Sequence, residues 1–237
     1  MGLGVLAFAG FLVRERFAKD PIMPLSLFSV RNFWTGNVAT AFIYGALALT
    51  SFALGIYLQQ GAGLPATLAG LASLPITIIM ILFSSRVGGL SGRFGPRLFM
   101  TIGPIVMGLS SLLFLTVAAD FNYWWQVLPA VVLFGVGLTL TVSPLTSAIL
   151  GSIDAERSGI ASAVNNAVSR VAGLIVIAMI AIIVGGELDL DGFHRVAIVT
   201  AAMLVAGGLV SFAGIRNPKH EGGDGAAADA TTGSAAA

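Results

Sequence analysis

Six stretches of more than twenty mostly apolar residues, at about 33–59, 66–90, 98–119, 125–150, 160–185 and 194–215, constrain this chain more than anything else in it. A helix of about 20 such residues crosses the ~30 Å hydrocarbon core of a bilayer. Each peptide group left unpaired in lipid is costly, so only helices or closed barrels span a membrane, and these stretches far exceed the ~10-residue alternating strands of a barrel. The fold class that follows is an all-α, six-helix membrane bundle in contact with the lipid bilayer. Composition agrees, because 57% of the residues are hydrophobic and only 10% are charged, against roughly 25% charged in soluble domains.

The placement of charge orients the bundle. Arg14, Arg16, Lys19 and Arg31 precede the first span, Arg86, Arg93 and Arg97 follow the second, Arg157 follows the fourth, and Arg216 and Lys219 follow the sixth. The intervening connections carry Asp120, Glu187, Asp189 and Asp191 and no Lys or Arg. By the positive-inside rule the basic side is cytoplasmic, which predicts a multi-pass plasma-membrane protein with a cytoplasmic carboxy-terminal tail. Arg195 and Arg170 are the exceptions. A formal net charge of +1 gives no reason to expect a nucleic-acid partner.

Chemistry is bounded from the other direction. The chain has no cysteine, and its two histidines, His194 and His220, are far apart in unlike settings, so no metal site is expected. No acids or activated nucleophile converge on one face, which argues against an enzyme and against a cofactor.

Four parts are expected. Residues 1–13 are apolar but rise only ~18 Å as a helix, short of a span, and read as the end of a truncated transmembrane helix; a short re-entrant or interfacial anchor is the alternative. Residues 14–32 form a cytoplasmic linker, 33–216 the six-helix unit, and the Gly/Ala-rich segment 217–237 a disordered tail. Within the unit, Asn32-Phe33-Trp34 is echoed by Asn122-Tyr123-Trp124, and Gly70-Leu71-Ala72-Ser73 by Gly159-Ile160-Ala161-Ser162. The offset predicts a three-plus-three duplication. Three crossings being odd, the copies are inverted, a construction rule of secondary transporters.

Polar residues fall in stripes. On the fifth span Ser162, Asn165, Asn166, Ser169, Arg170 and Gly173 share an arc of about 140° when wound at 100° per residue. Arg170 lies about ten residues inside, hence roughly 15 Å deep, and requires water, a partner or a substrate. It reads either as a cavity or gating residue or as a structural arginine bonded to neighbouring carbonyls. The first span aligns Asn37, Thr40, Tyr44, Ser51 and Gln59, with Tyr44 suited equally to a cavity wall and to a helix interface. The fourth aligns Gly135, Thr139, Ser143, Thr146 and Ser147. Candidate cavity or gating residues are thus Asn37, Tyr44, Ser143, Asn165, Asn166 and Arg170. Every Asp and Glu lies in a loop, an edge or the tail.

The segment Gly88-Gly89-Leu90-Ser91-Gly92-Arg93-Phe94-Gly95-Pro96-Arg97 resembles the second-half copy of the signature loop of the major facilitator superfamily, matching at Gly88, Leu90, Arg93, Gly95 and Arg97, with Gly92 where aspartate is usual. Asp20-Pro21 to Phe28, Tyr57-Leu58-Gln59, Ala69-Gly70 to Leu74-Pro75, Pro144-Leu145-Thr146 and Gly159 through Asn165-Asn166 to Gly173 are similar to the fourteen-helix drug:proton antiporters. The resemblance implies alternating-access, proton-driven efflux of a small-molecule substrate, drug or amphipathic metabolite. It implies that this chain is the carboxy-terminal half, that an amino-terminal half supplies proton coupling, and that Gly88, Leu90, Arg93, Gly95 and Arg97 form a conformational latch. The alternative is a non-transporting remnant or assembly subunit that needs a separate amino-terminal half.

Overall fold

The computed structural model describes residues 25–186 and 188–217, together with Gly10, Val13 and Arg14. Nearly all of the expected helix end at 1–13, most of the linker and nearly all of the tail lie outside the described residues.

Six helices are long and apolar enough to cross a membrane: α1 (Arg31–Gly61), α2 (Ala66–Phe94), α3 (Pro96–Thr116), α4 (Tyr123–Leu150), α5 (Ala155–Ala178) and α6 (Leu190–Gly214). Among the described residues there is no strand. Two spans are interrupted. α2 breaks at Ala72 and Ser73, just before Pro75, whose missing N–H suits the first turn of a helix. α5 ends in a turn at Met179 and resumes as a short piece, Ile180–Val184, closed by Gly185 at φ 76°. The segment expected as a connecting loop after the second span is helical through Phe94, and the chain reverses on Gly95 alone, whose φ of 84° is a conformation that side chains disfavour.

Packing follows the expected duplication. α1 runs beside α5 and α6, α4 runs beside α2 and α3, and α3 lies along α6. Exchanging α1 with α4, α2 with α5 and α3 with α6 returns the same set of neighbours. The exchange extends to single hydrogen bonds. At the start of α3, Arg97 Nε donates to the Phe212 carbonyl near the end of α6 at 2.9 Å; at the start of α6, His194 Nε2 donates to the Val117 carbonyl just past α3, also at 2.9 Å. Trp34 and Trp124, the matching tryptophans, are both exposed near the starts of α1 and α4, at opposite ends of the bundle, where aromatic rings anchor a helix at the membrane interface.

Small residues bring the helices together, as lipid-embedded packing requires. A Cβ added to Gly137 of α4 would lie 2.7 Å from the Gly103 carbonyl of α3, and one added to Gly108 would lie 3.3 Å from the Ala201 carbonyl of α6. Gly207 faces α1 and Gly208 faces α3, so α6 is wedged between them. Three apolar clusters result. The one opposite the basic end is centred on Tyr57, Phe114 and Phe193, with the Tyr57 and Phe193 rings stacked at 4.4 Å.

The basic end is tied differently. Arg31 donates from Nε to the Gly214 carbonyl and from Nη2 to the Ala213 carbonyl. Asn32 and the Arg216 backbone exchange two hydrogen bonds, and Asn217 Oδ1 accepts from the Arg97 N–H. The last carbonyls of α6, which have no partner within their own helix, are thereby capped by guanidinium groups of two others, with the favourable charge for a helix carboxy-terminus. Arg195 plays the same part at the opposite end, donating to the Val184 carbonyl at 2.9 Å. That employment accounts for its departure from the charge pattern.

Candidate functional site

Burial is distributed unevenly. Only 11% of the residues in the most apolar stretch of α2, and likewise of α5, are buried, against 44% to 56% in the other four helices. These two are the repeat-related pair. Along the flank of α5 a groove of about 520 Å3 opens against α1, lined by Tyr44, Leu47, Ala48 and Ser51 of α1 and by Asn166, Ser169, Arg170, Gly173, Leu174 and Ile177 of α5.

The groove exists because the two helices touch closely on either side of it. Gly45 meets Val176 and Met203, and Gly173 leaves 3.1 Å between a Cβ at its position and that of Ala48. Nearer the basic end, Asn165 Nδ2 donates to Thr40 Oγ1 at 2.8 Å and to Asn37 Oδ1 at 3.3 Å, while Asn37 Nδ2 donates to the Phe33 carbonyl. Asn166 and Arg170, adjacent by helical spacing, face the opening.

Six residues were expected to line a cavity or gate, and the structure separates them. Tyr44, Asn166 and Arg170 share the groove. Asn37 and Asn165 are spent on each other in the clamp, Asn37 being buried. Ser143 lies on the other side of the bundle, 2.9 Å from where a Cβ on Gly88 would stand, at the contact of α4 with α2. Ser51 and Ser169, members of the predicted stripes, do reach the groove, whereas Leu47, Ala48 and Ile177 were not legible as lining because nothing in an apolar side chain distinguishes a cavity wall from a helix interface.

Arg170 is exposed, and its guanidinium forms no hydrogen bond or ion pair with a described residue. At this depth an arginine costs ~2.5–3.5 kcal/mol on insertion scales. The chain holds no Asp or Glu in the interior of any span to offset it. Its position is therefore one in which a negative or strongly accepting group is stabilised.

Of the predicted latch residues, Arg93 is exposed on α2, whereas Arg97 is committed to α6, donating to Phe212 and lying over its ring at 4.8 Å. Gly88 packs on α4, Leu90 is exposed, and Gly95 makes the turn against Asn217. A larger recess of about 690 Å3 lies among the connections opposite the basic end, lined by Tyr57, Gln60, Phe121 and Asp189. Asp189 there already accepts the Gly192 N–H at 2.8 Å, capping α6. The mid-depth groove, with an uncommitted cation, is the stronger candidate.

The Major Facilitator Superfamily model matches residues 2–177. Among curated proteins, the chain is 29% identical over 221 residues to the methylenomycin A resistance protein of Streptomyces coelicolor, covering 92% of this chain and 46% of the relative. It is 29% identical to the tetracenomycin C resistance and export protein of Streptomyces glaucescens, covering 79% and 35%, and 28% identical to a quinolone resistance protein of Staphylococcus aureus, covering 76% and 39%. The chain thus spans less than half the length of these relatives. It belongs to the Major Facilitator Superfamily.

Proposed function

We propose that this member of the superfamily acts as the carboxy-terminal six-helix half of an efflux transporter, moving drugs or amphipathic metabolites across the plasma membrane by alternating access. The observation that carries this reading is the polar groove on the flank where α2 and α5 are least covered. A second helical unit laid across α2 and α5 encloses the groove near mid-bilayer, where transporters built from inverted repeats hold substrate. On this reading the basic end is cytoplasmic and Arg93, exposed on α2, meets the facing half as the latch. Acids of that half couple transport to the proton gradient, since the span interiors here contain none. The names of the relatives, resistance to methylenomycin A and to quinolones and export of tetracenomycin C, support efflux over uptake.

Deleting the coding region from its host is expected to raise intracellular retention of amphipathic antibiotics severalfold, with loss of the difference when the proton gradient is collapsed. Unchanged retention across a chemically varied panel would reject efflux. A second reading is an assembly subunit that does not itself transport and needs a separate amino-terminal half. The mass of the native polypeptide in its own membranes separates the two. A product about twice 24.3 kDa carries both halves in one chain, and a product near that mass requires a separate partner.

A further inference from the structure

Building on the efflux reading, we propose that the groove between α1 and α5 selects amphiphiles bearing one delocalised anionic group, such as a carboxylate, sulfonate or phenolate on an apolar body, with Arg170 as its counter-charge. Several other arginines are occupied: Arg31, Arg97 and Arg195 cap carbonyls, and Arg86 lies over the Phe83 ring at 5.8 Å, while Arg93 and Arg157 stand at helix ends. Among the described residues, Arg170 presents its guanidinium to the open recess between α1 and α5. No acid in the span interiors competes for it.

The recess suits such a ligand in size and in the arrangement of its polar groups. Its volume, about 520 Å3, falls within the range of drug-sized sites. A guanidinium is planar, weakly hydrated and offers paired donors that match the two oxygens of a carboxylate. Asn166 stands one helical turn away and Tyr44 faces it from α1, both able to donate to a further acceptor. Leu47 and Ile177 form apolar walls for the body of the molecule. A cationic amphiphile in the same recess meets like charge in a low-dielectric setting, which is penalised steeply.

The full chain, in nanodiscs of zwitterionic phosphatidylcholine, can be titrated with two dyes of the same ring body. These are 1-anilinonaphthalene-8-sulfonate and neutral N-phenyl-1-naphthylamine, each corrected against empty discs. The sulfonate should bind about tenfold more tightly than the neutral dye. Arg170→Gln should abolish that preference while leaving the neutral dye's affinity unchanged, which also shows that the variant folds. Arg170→Lys should keep part of it, and Arg157→Gln, at the membrane edge, should keep all of it. Saturable binding of both dyes without preference, or a preference that survives Arg170→Gln, overturns the inference while leaving the efflux reading standing; Arg170 then serves a carboxylate of the facing protein. Absence of saturable binding by either dye overturns the inference as well, and the retention assay on the deletion strain then decides the efflux reading by itself.

Discussion

At the scale of single residues, three polar groups in neighbouring turns of α1 and α5 do different work. Asn165 and Thr40 bind the helices together through a part-buried hydrogen bond, whereas Arg170, little more than a turn beyond, is left for something else. Interhelical hydrogen bonds in membranes contribute about 0.6 kcal/mol on average and up to about 1.7. A double-mutant cycle of Thr40→Val with Asn165→Leu, read by thermal unfolding in detergent, should return a coupling in that range. A coupling near zero would mean that the amide is satisfied elsewhere once Thr40 is gone. The sequence places both asparagines on one polar stripe, but it does not say which of two adjacent amides turns toward a neighbouring helix. That choice is made by the direction in which α1 approaches.

At the scale of helices, close approach is set by glycine and end positions by arginine. Gly137→Ala places a methyl 2.7 Å from the Gly103 carbonyl, a backbone atom that cannot swing aside. Overpacking of this kind costs about 1–3 kcal/mol, so folded yield and melting temperature should both fall. Gly159→Ala, with nothing within 4 Å, is the matched control and should change neither. The caps on α6 are weaker individually. Removing one favourable charge at a helix carboxy-terminus costs about 0.3–1 kcal/mol. Arg31→Ala combined with Arg97→Ala should therefore leave the global fold intact and raise amide exchange at Phe212 to Ile215 severalfold. Uniform loss of protection along the whole of α6 would show instead that the clasp holds the helix in place.

At the scale of the molecule, the exposed apolar faces of α2 and α5 mark where the bundle meets its surroundings. Leu82 and Leu174 are 61% and 69% exposed. Because the chain lacks cysteine, Leu82→Cys and Leu174→Cys each introduce a single thiol. In native membranes a short bifunctional thiol–amine reagent should join either thiol to protein of the facing half, while a thiol at Leu209, 57% exposed on α6, should remain unlinked. No protein linkage from Leu82→Cys or Leu174→Cys would place lipid, and not a transporter half, against α2 and α5.

The number of crossings, their approximate limits and the duplication were all decided by sequence. Apolar length, loop charge and repeated motifs are local properties, and the bilayer leaves helices as the only use for them. The register of neighbouring helices was decided only in three dimensions. It turned Asn165 inward, left Asn166 and Arg170 facing a groove, carried Ser143 to the far side of the bundle and turned Arg97 onto the end of α6. A helical wheel reports which residues share a face, but which face meets protein and which meets open space depends on contacts between segments more than a hundred residues apart.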